Sequence, residues 1–288
     1  MKTSGHLDWL AVTFPADLES GFWLPAKLLA SEFTVENKGP HGYTKTAVND
    51  IGVIVLSEGA ARQGTHVVYT GEPLGVAREM GVTDRELVMH AVEYAGRFTR
   101  LDVAVNILDG TLKPADLEHA YMHDGCDTSA RAAGRVQTLN TDRDTLYIGS
   151  RASERMLRAY NKGAQLGTGE AWIRLELECK KLMAQAVASA IADNANTRAV
   201  INRAILEFVD FPYLPEWSKA LRESDACIPP PTRKMHSTYR WLLEVVAPAL
   251  ARYQFEHPED DIESVFTALW RRYYAELRKR GQGPTPTG

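Results

Sequence analysis

The sequence predicts an α+β fold: a mixed, largely antiparallel sheet with flanking helices and a helical C-terminal unit. Three observations predict it. Stretches that alternate polar with apolar, β-branched residues recur through the first two-thirds of the 288 residues. Several of them follow one another with little more than turn residues between, the spacing of strands that pair antiparallel. From Met235 onward the periodicity changes to that of helices. The run Pro229-Pro230-Pro231 marks the change, placing a sheet-bearing domain at 1–226 and a helical region at 232–282.

Taken in order, LDWLAVTF (7–14) reads as a strand that sends Trp9, Val12 and Phe14 into the core. Residues 42–48 and 51–57 read as a hairpin turning near Asn49-Asp50, and 65–70 as a short β-branched strand. A helix is expected over 83–95: Thr83 caps it, Glu86 completes a capping box, and Leu87, Val88, Ala91, Val92 and Ala95 recur at helical spacing. A strand follows at 98–107 and a helix at 114–122. Strands are then expected at 135–139, 144–148, 155–161 and 172–179, the last two separated by a glycine-rich loop at 163–169. A helix begins at Lys181, and 264–277 carries Val265, Phe266, Leu269, Trp270, Tyr273 and Leu277 on one apolar stripe. The tail after Arg280 reads as frayed.

Composition narrows the class of partner. A net charge of −4 argues against a broadly basic nucleic-acid coat but leaves room for a local basic face. Residues 135–181 hold nine Lys and Arg against six Asp and Glu, and Arg271, Arg272, Arg278, Lys279 and Arg280 form a second cluster. A solvated helix end explains that second cluster equally well. Cys126, Cys179 and Cys227 lie far apart and form no CxxC pair, which argues against a zinc site or disulfide framework and for a reducing cytoplasm. No stretch is apolar for long enough to span a membrane, and the N-terminus lacks the apolar core of a signal peptide. The expected location is cytoplasmic.

Three strands carry unusual polar residues at period-two spacing. Arg100, Asp102 and Asn106 share one face of the first, with Ala104 among them. Arg158, Tyr160 and Lys162 share a face of the second, and Arg174, Glu176 and Glu178 a face of the third. If those faces form one surface, a tyrosine lies among carboxylates and cations. Gathered carboxylates repel one another unless a cation sits among them, and oxygen ligands suit Mg²⁺ or Mn²⁺. Such an ion polarises a phosphate, and Lys162 and Arg158 would lower the phenol's pKa or neutralise phosphoryl charge. The plainer alternative stays open: any half-exposed strand alternates polar with apolar residues, and cross-strand Arg–Glu pairs are common on surfaces.

Four segments in order, Arg100-Leu-Asp102, Thr145-Leu-Tyr147-Ile-Gly149-Ser150, Tyr160-Asn-Lys162 and Arg174-Leu-Glu176-Leu-Glu178, resemble the Rep_trans family of replication initiation factors. Asp8-Trp9-Leu10-Ala11-Val12 is similar to that family's first strand. The resemblance covers about 6–182. It implies a rolling-circle initiator that nicks one strand of origin DNA, at a hairpin or inverted repeat, and stays joined to the 5′ phosphate through a tyrosine. Carried onto this chain, Tyr160 is the nucleophile and Asp102, Glu176 and Glu178 are ligands of Mg²⁺ or Mn²⁺. Lys162, Arg174 and Arg158 then support catalysis. Where the family often has a second acid after the Arg-x-Asp pair, Asn106 stands here. The resemblance further implies a homodimer and a helicase from the host or the element. Two relatives of that reading are a relaxase starting conjugative transfer and an inactive DNA-binding regulator of the same fold.

The remaining candidates are weaker. His119 and His123 have a metal-ligand spacing on a helix but no third partner in sequence. Tyr147 is a rival nucleophile better explained by packing, as are Tyr273 and Tyr274. There is no GxxxxGK[ST] loop, so the chain is not itself a P-loop helicase, and no paired-histidine nickase motif.

Overall fold

A computed structural model describes residues 2–16, 18, 23–29, 32–60, 63–128 and 145–221, with 228, 250, 253–254, 257–259, 261 and 263–267 beyond them. The chain divides into two compact units, Met1–Pro231 and Thr232–Gly288. In the first, the elements are β1 (Thr3–Phe14), α1 (Ala26–Leu29), β2 (Phe33–Glu36), β3 (Lys45–Asn49), β4 (Ile54–Ser57), β5 (Thr65–Tyr69), α2 (Gly71–Glu79), α3 (Asp84–Glu93), β6 (Arg97–Ile107) and α4 (Pro114–His119). After a π-helical turn at Ala120–Asp124 come β7 (Asp127–Thr128), β8 (Thr145–Gly149), β9 (Arg155–Asn161), α5 (Lys162–Leu166), β10 (Ile173–Lys180), α6 (Lys181–Asp193), α7 (Thr197–Leu206), β11 (Val209–Asp210) and α8 (Pro215–Leu221).

Nine strands form one sheet in the order β2-β3-β4-β5-β1-β6-β10-β9-β8. Every pairing in it is antiparallel. The three polar-patterned strands therefore lie side by side between β1 and the edge strand β8. The register of β10 sets Leu175 and Leu177 between Val105 and Val103 on one side and Ala159 and Leu157 on the other. All six are buried, and α6 and α7 pack on β6, with α2, α3 and α7 on β1. One sheet face is thus the hydrophobic core, and alternation sends Arg174, Glu176 and Glu178 to the other.

β1 departs from strict alternation. Its register against β6 slips between Leu7, opposite Val103, and Trp9, opposite Asp102. This is a β-bulge: one extra residue moves the following side chains to the other face. Leu7 therefore lies in the core with Leu10, Val12 and Phe14, although their numbering changes parity. Trp9 is not a core residue, contrary to expectation. It faces the polar side, where the Arg100 guanidinium sits 4.3 Å from its ring centroid.

α3 starts where its capping sequence places it. Thr83 Oγ1 accepts from the Glu86 amide at 3.2 Å, and Glu86 Oε2 accepts from the Thr83 amide at 2.7 Å. The expectation of a loop at 163–169 is partly overturned. Residues 162–166 make a single helical turn capped by Asn161 Oδ1, which accepts from the Ala164 amide at 2.9 Å. Helix α2 was not expected, because Gly71, Pro73 and Gly75 break its pattern. It forms because Pro73 falls in the first turn, where no amide donor is needed, and because Leu74 and Ala77 are buried. The expected strand 135–139, the proline run, Cys227, Tyr273, Tyr274 and the cluster at 271–280 lie outside the described residues. Of the helix expected at 264–277, residues 264–267 are helical and the rest lie outside.

Leu177 is wholly buried on the core side of β10. Leu177→Ala should lower the unfolding free energy by about 2–5 kcal/mol, and Thr83→Ala by about 1 kcal/mol. Urea titration followed by circular dichroism checks both values and their order.

Candidate active site

The polar face over β1, β6, β10 and β9 is not a solvated surface. Asp102, Asn106, Arg174, Glu176 and Glu178 are each between 1% and 7% exposed. Charges taken out of water at that depth need partners. The antiparallel register supplies them, because polar residues on neighbouring strands stand opposite one another. Glu178 faces Asp102, Arg174 faces both Asn106 and Tyr160, and Glu176 faces Arg158.

The result is a continuous ionic lattice. Arg100 grips Asp102 with two bonds, Nε to Oδ1 at 2.9 Å and Nη2 to Oδ2 at 2.6 Å. Its Nη2 also stands 2.9 Å from Glu178 Oε2, and Lys180 Nζ lies 2.5 Å from Glu178 Oε1. Arg158 pairs with Glu176 Oε1 and reaches to within 3.6 Å of Asp102 Oδ2. Arg174 donates through Nε to Asn106 Oδ1 at 2.9 Å and through Nη1 to Asp8 Oδ1 at 2.7 Å. The sequence suggested that gathered carboxylates require an added cation. In the structure, arginines and a lysine on adjacent strands already neutralise them.

Tyr160 stands at one end of this lattice. Its hydroxyl donates to Glu176 Oε2 at 3.1 Å. Lys162, expected to share its strand face, is instead the first residue of α5. There its amide donates to the Trp172 carbonyl at 2.6 Å. Its Nζ bonds Gln165 Oε1 at 2.8 Å and stays 5.9 Å from the Tyr160 ring centroid. The turn that places it requires glycine next in line: a Cβ on Gly163 would stand 2.1 Å from the Glu170 carbonyl oxygen.

Two residues at this end were not singled out in the sequence. The bulge turns Asp8 toward Arg174, and His6 Nε2 lies 4.0 Å from Asp8 Oδ1. The signal was present in the parity change from Leu7 to Leu10, Val12 and Phe14, which requires an extra residue between them. Tyr147 stands opposite Arg158 on β8, a strand further out, so it neighbours the lattice without entering it. His119 and His123 have ring centroids 4.8 Å apart. Among the described residues, no three His, Cys, Asp or Glu side chains converge as a ready metal cage.

Burial dominates the protonation of these groups. It raises the Tyr160 pKa, and the negative charges of Glu176 and Asp8 add to the shift against the opposing Arg174. The sequence had suggested that cations would lower it. Burial also raises Glu176, with Asp8 adding and Arg158 opposing. Asp102 is raised to about 6 by burial, against the pull of Arg100. His6 is lowered to about 4, first by burial and then by Arg174 and Arg78, so it is neutral at neutral pH. Lys162 is lowered by burial and Arg174. At rest the site therefore holds a protonated phenol bonded to Glu176.

An antiparallel sheet thus packs helices on one face and carries a half-buried tyrosine among paired carboxylates and arginines on the other. The replication initiation factor family (Rep_trans) matches residues 96–277, and this chain belongs to that family. The match takes in β6, β9 and β10, the strands that carry Asp102, Tyr160 and Glu176. The fold is shared with the rolling circle replication initiator protein from Geobacillus stearothermophilus. The two are 23% identical with a TM-score of 0.60 over 78% of this chain and 93% of that one. No curated protein matches the sequence.

Arg174 is the most buried cation of the array. Arg174→Met leaves Asp8 and Asn106 without their donor and should cost about 3 kcal/mol of stability. Lys38→Met removes an exposed pair with Glu36, whose side chains are 82% and 56% exposed, and should cost under about 0.5 kcal/mol. Urea titration of the two variants beside the parent checks the contrast.

Proposed function

We propose that this protein initiates rolling-circle replication by nicking one strand of origin DNA, with Tyr160 as the nucleophile. The observation that carries this reading is the Tyr160 hydroxyl bonded to Glu176 Oε2, on a face where Arg158 pairs with Glu176 and Arg174 with Asp8. A phenol has a reference pKa of about 10, and burial here lifts it further, so attack on phosphorus requires a base. Glu176 Oε2 already accepts that proton's hydrogen bond. As it takes the proton, Tyr160 Oη forms a bond to phosphorus and the bond from phosphorus to the 3′ oxygen breaks. The 3′ oxygen leaves as a hydroxyl after protonation, and the 5′ phosphate remains esterified to Tyr160. One ester replaces another, so closing the nick needs no ATP. Arg158, Arg174 and Lys162 supply positive charge to the phosphoryl oxygens.

The family resemblance implies Mg²⁺ or Mn²⁺, and the donor chemistry beside Tyr160 fits such an ion. Mg²⁺ is held through one or two carboxylates plus substrate phosphate rather than by an all-protein cage. Glu176, which bonds the Tyr160 hydroxyl, and Asp8, whose charge acts on the phenol, would hold the ion. Glu176 and Asp8 are paired too, with Arg158 and Arg174, but theirs are the negative charges that act on the phenol; we assign Asp102 and Glu178, the other expected ligands, to organising Arg100, Arg158 and Lys180. When bound, the ion would polarise the scissile phosphate as a Lewis acid. The substrate is origin DNA exposed as a hairpin or inverted repeat, and unwinding falls to a separate helicase. Pairing of two copies into a homodimer belongs to the same reading.

Incubation with supercoiled plasmid bearing the element's origin should give a nicked form and a covalent peptide–oligonucleotide adduct at Tyr160. Tyr160→Phe should lose nicking by about 10³-fold or more, with DNA binding retained, and EDTA should abolish cleavage in the parent. Equal nicking by parent and Tyr160→Phe rejects the assignment.

A further inference from the structure

The bulge in β1 creates a backbone problem at Leu7. The pairing of β1 with β5 runs only from Leu10 to Phe14, so the edge of β1 at Leu7 that points away from β6 meets no strand. Leu7 is itself wholly buried. Buried amides and carbonyls need partners, and here two side chains from distant elements stand in for the missing strand. The Leu7 amide donates to Asp84 Oδ2 at 2.8 Å. Arg78 Nη1 donates to the Leu7 carbonyl at 3.3 Å and to Asp84 Oδ1 at 2.7 Å. Asp84 opens α3 directly after its Thr83 cap, and Arg78 lies in the last turn of α2. At the start of α2, Gly71 keeps clear the space beside Asp8: a Cβ there would stand 3.2 Å from Asp8 Oδ1.

We propose that Asp84 and Arg78 are positioning residues: by clamping both backbone polar groups of Leu7, they fix the bulge and hold the Asp8 carboxylate against Arg174 at the nicking site. This rests on the reading above in which Asp8 helps hold the divalent ion. The geometry favours a clamp over mere helix packing. Asp84 uses both carboxylate oxygens, one on the strand and one on the arginine that also holds the strand. The pair bonds neither Tyr160 nor Glu176; apart from the Arg78 charge acting on His6, it reaches the site through the backbone of residues 7 and 8. Bulges re-aim side chains, and Asp8 is the side chain re-aimed here.

The test measures binding of Mn²⁺ alone to the full-length protein, by electron paramagnetic resonance of the free ion, so that it does not depend on nicking. Arg78→Met keeps the apolar stem and removes the clamp. It should raise the Mn²⁺ dissociation constant about tenfold, the size usual for an outer-shell partner. Asp8→Asn should raise it at least as much. Adding Arg78→Met to Asp8→Asn should produce no further change, because the clamp acts through Asp8. Arg78→Lys should recover part of the loss. An unchanged constant in Arg78→Met beside a raised one in Asp8→Asn overturns the clamp and leaves the site assignment standing. So does a full tenfold loss from Arg78→Met in the Asp8→Asn background. An Asp8→Asn protein that binds Mn²⁺ like the parent removes Asp8 from the ion site and the clamp's role with it. If Arg78→Met does not fold, Asp84→Asn, which keeps an acceptor for the Leu7 amide but not the ion pair, carries the same comparison.

Discussion

The pairing of β10 with β6 on one side and β9 on the other is the constraint on which the site depends. It sets Arg174 between Asn106 and Tyr160, Glu176 beside Arg158, and Glu178 beside Asp102. A one-residue slip in either ladder would send Arg174, Glu176 and Glu178 into the core and Leu175 and Leu177 out of it. The buried leucines and valines therefore do more than stabilise the sheet. They lock the register, and the register decides which charge meets which. This is why core residues that touch no substrate belong to the physical description of the site.

Buried ion pairs are seldom the cheapest way to stabilise a fold, since apolar residues of similar volume often do as well or better. Here a lattice of carboxylates and cations covers one face of the sheet, with Asp102, Arg174, Glu176 and Glu178 at exposures below one-tenth. Stability alone does not account for that choice. On the proposed function, electrostatic preorganisation does: Arg158 and Arg174 are held in place by Glu176, Asn106 and Asp8 before any substrate arrives, so little reorganisation would remain for the reaction itself. The same acids limit the arginines' unopposed charge, in keeping with a chain whose net charge is −4.

Period-two alternation made most of this legible. It put Arg174, Glu176 and Glu178 on one face, Asp102 and Asn106 on another, and Arg158 with Tyr160 on a third, and the structure brings those faces together. Alternation failed where strands are irregular. Pattern alone puts Trp9 in the core and gives Asp8 no part in the site, because the extra residue in β1 shifts the count. Lys162 was read as a strand residue because the turn that removes it from β9 is enforced 8 residues later, by the approach of the Glu170 carbonyl to Gly163. Local pattern cannot show contacts of that kind. The partnership of Leu7 with Asp84, 77 residues apart, is another such case. The capping box at Thr83 was visible in sequence, but nothing local says that the residue after the cap also completes a strand edge.

The protonation pattern bears on how such a nickase would be kept in check. A phenol that was ionised at rest would be a standing nucleophile beside any phosphate that entered. Burial and the charges of Glu176 and Asp8 act in the opposite direction and keep Tyr160 protonated. On the proposed function, a further positive charge reverses that balance, because it screens the same two carboxylates that hold the phenol neutral. Glu176 and Asp8 would then both restrain the nucleophile and recruit what releases it. Attack is thereby tied to assembly of the complete site, since the groups that raise the barrier in the free protein are the ones that the ion and the phosphate must engage.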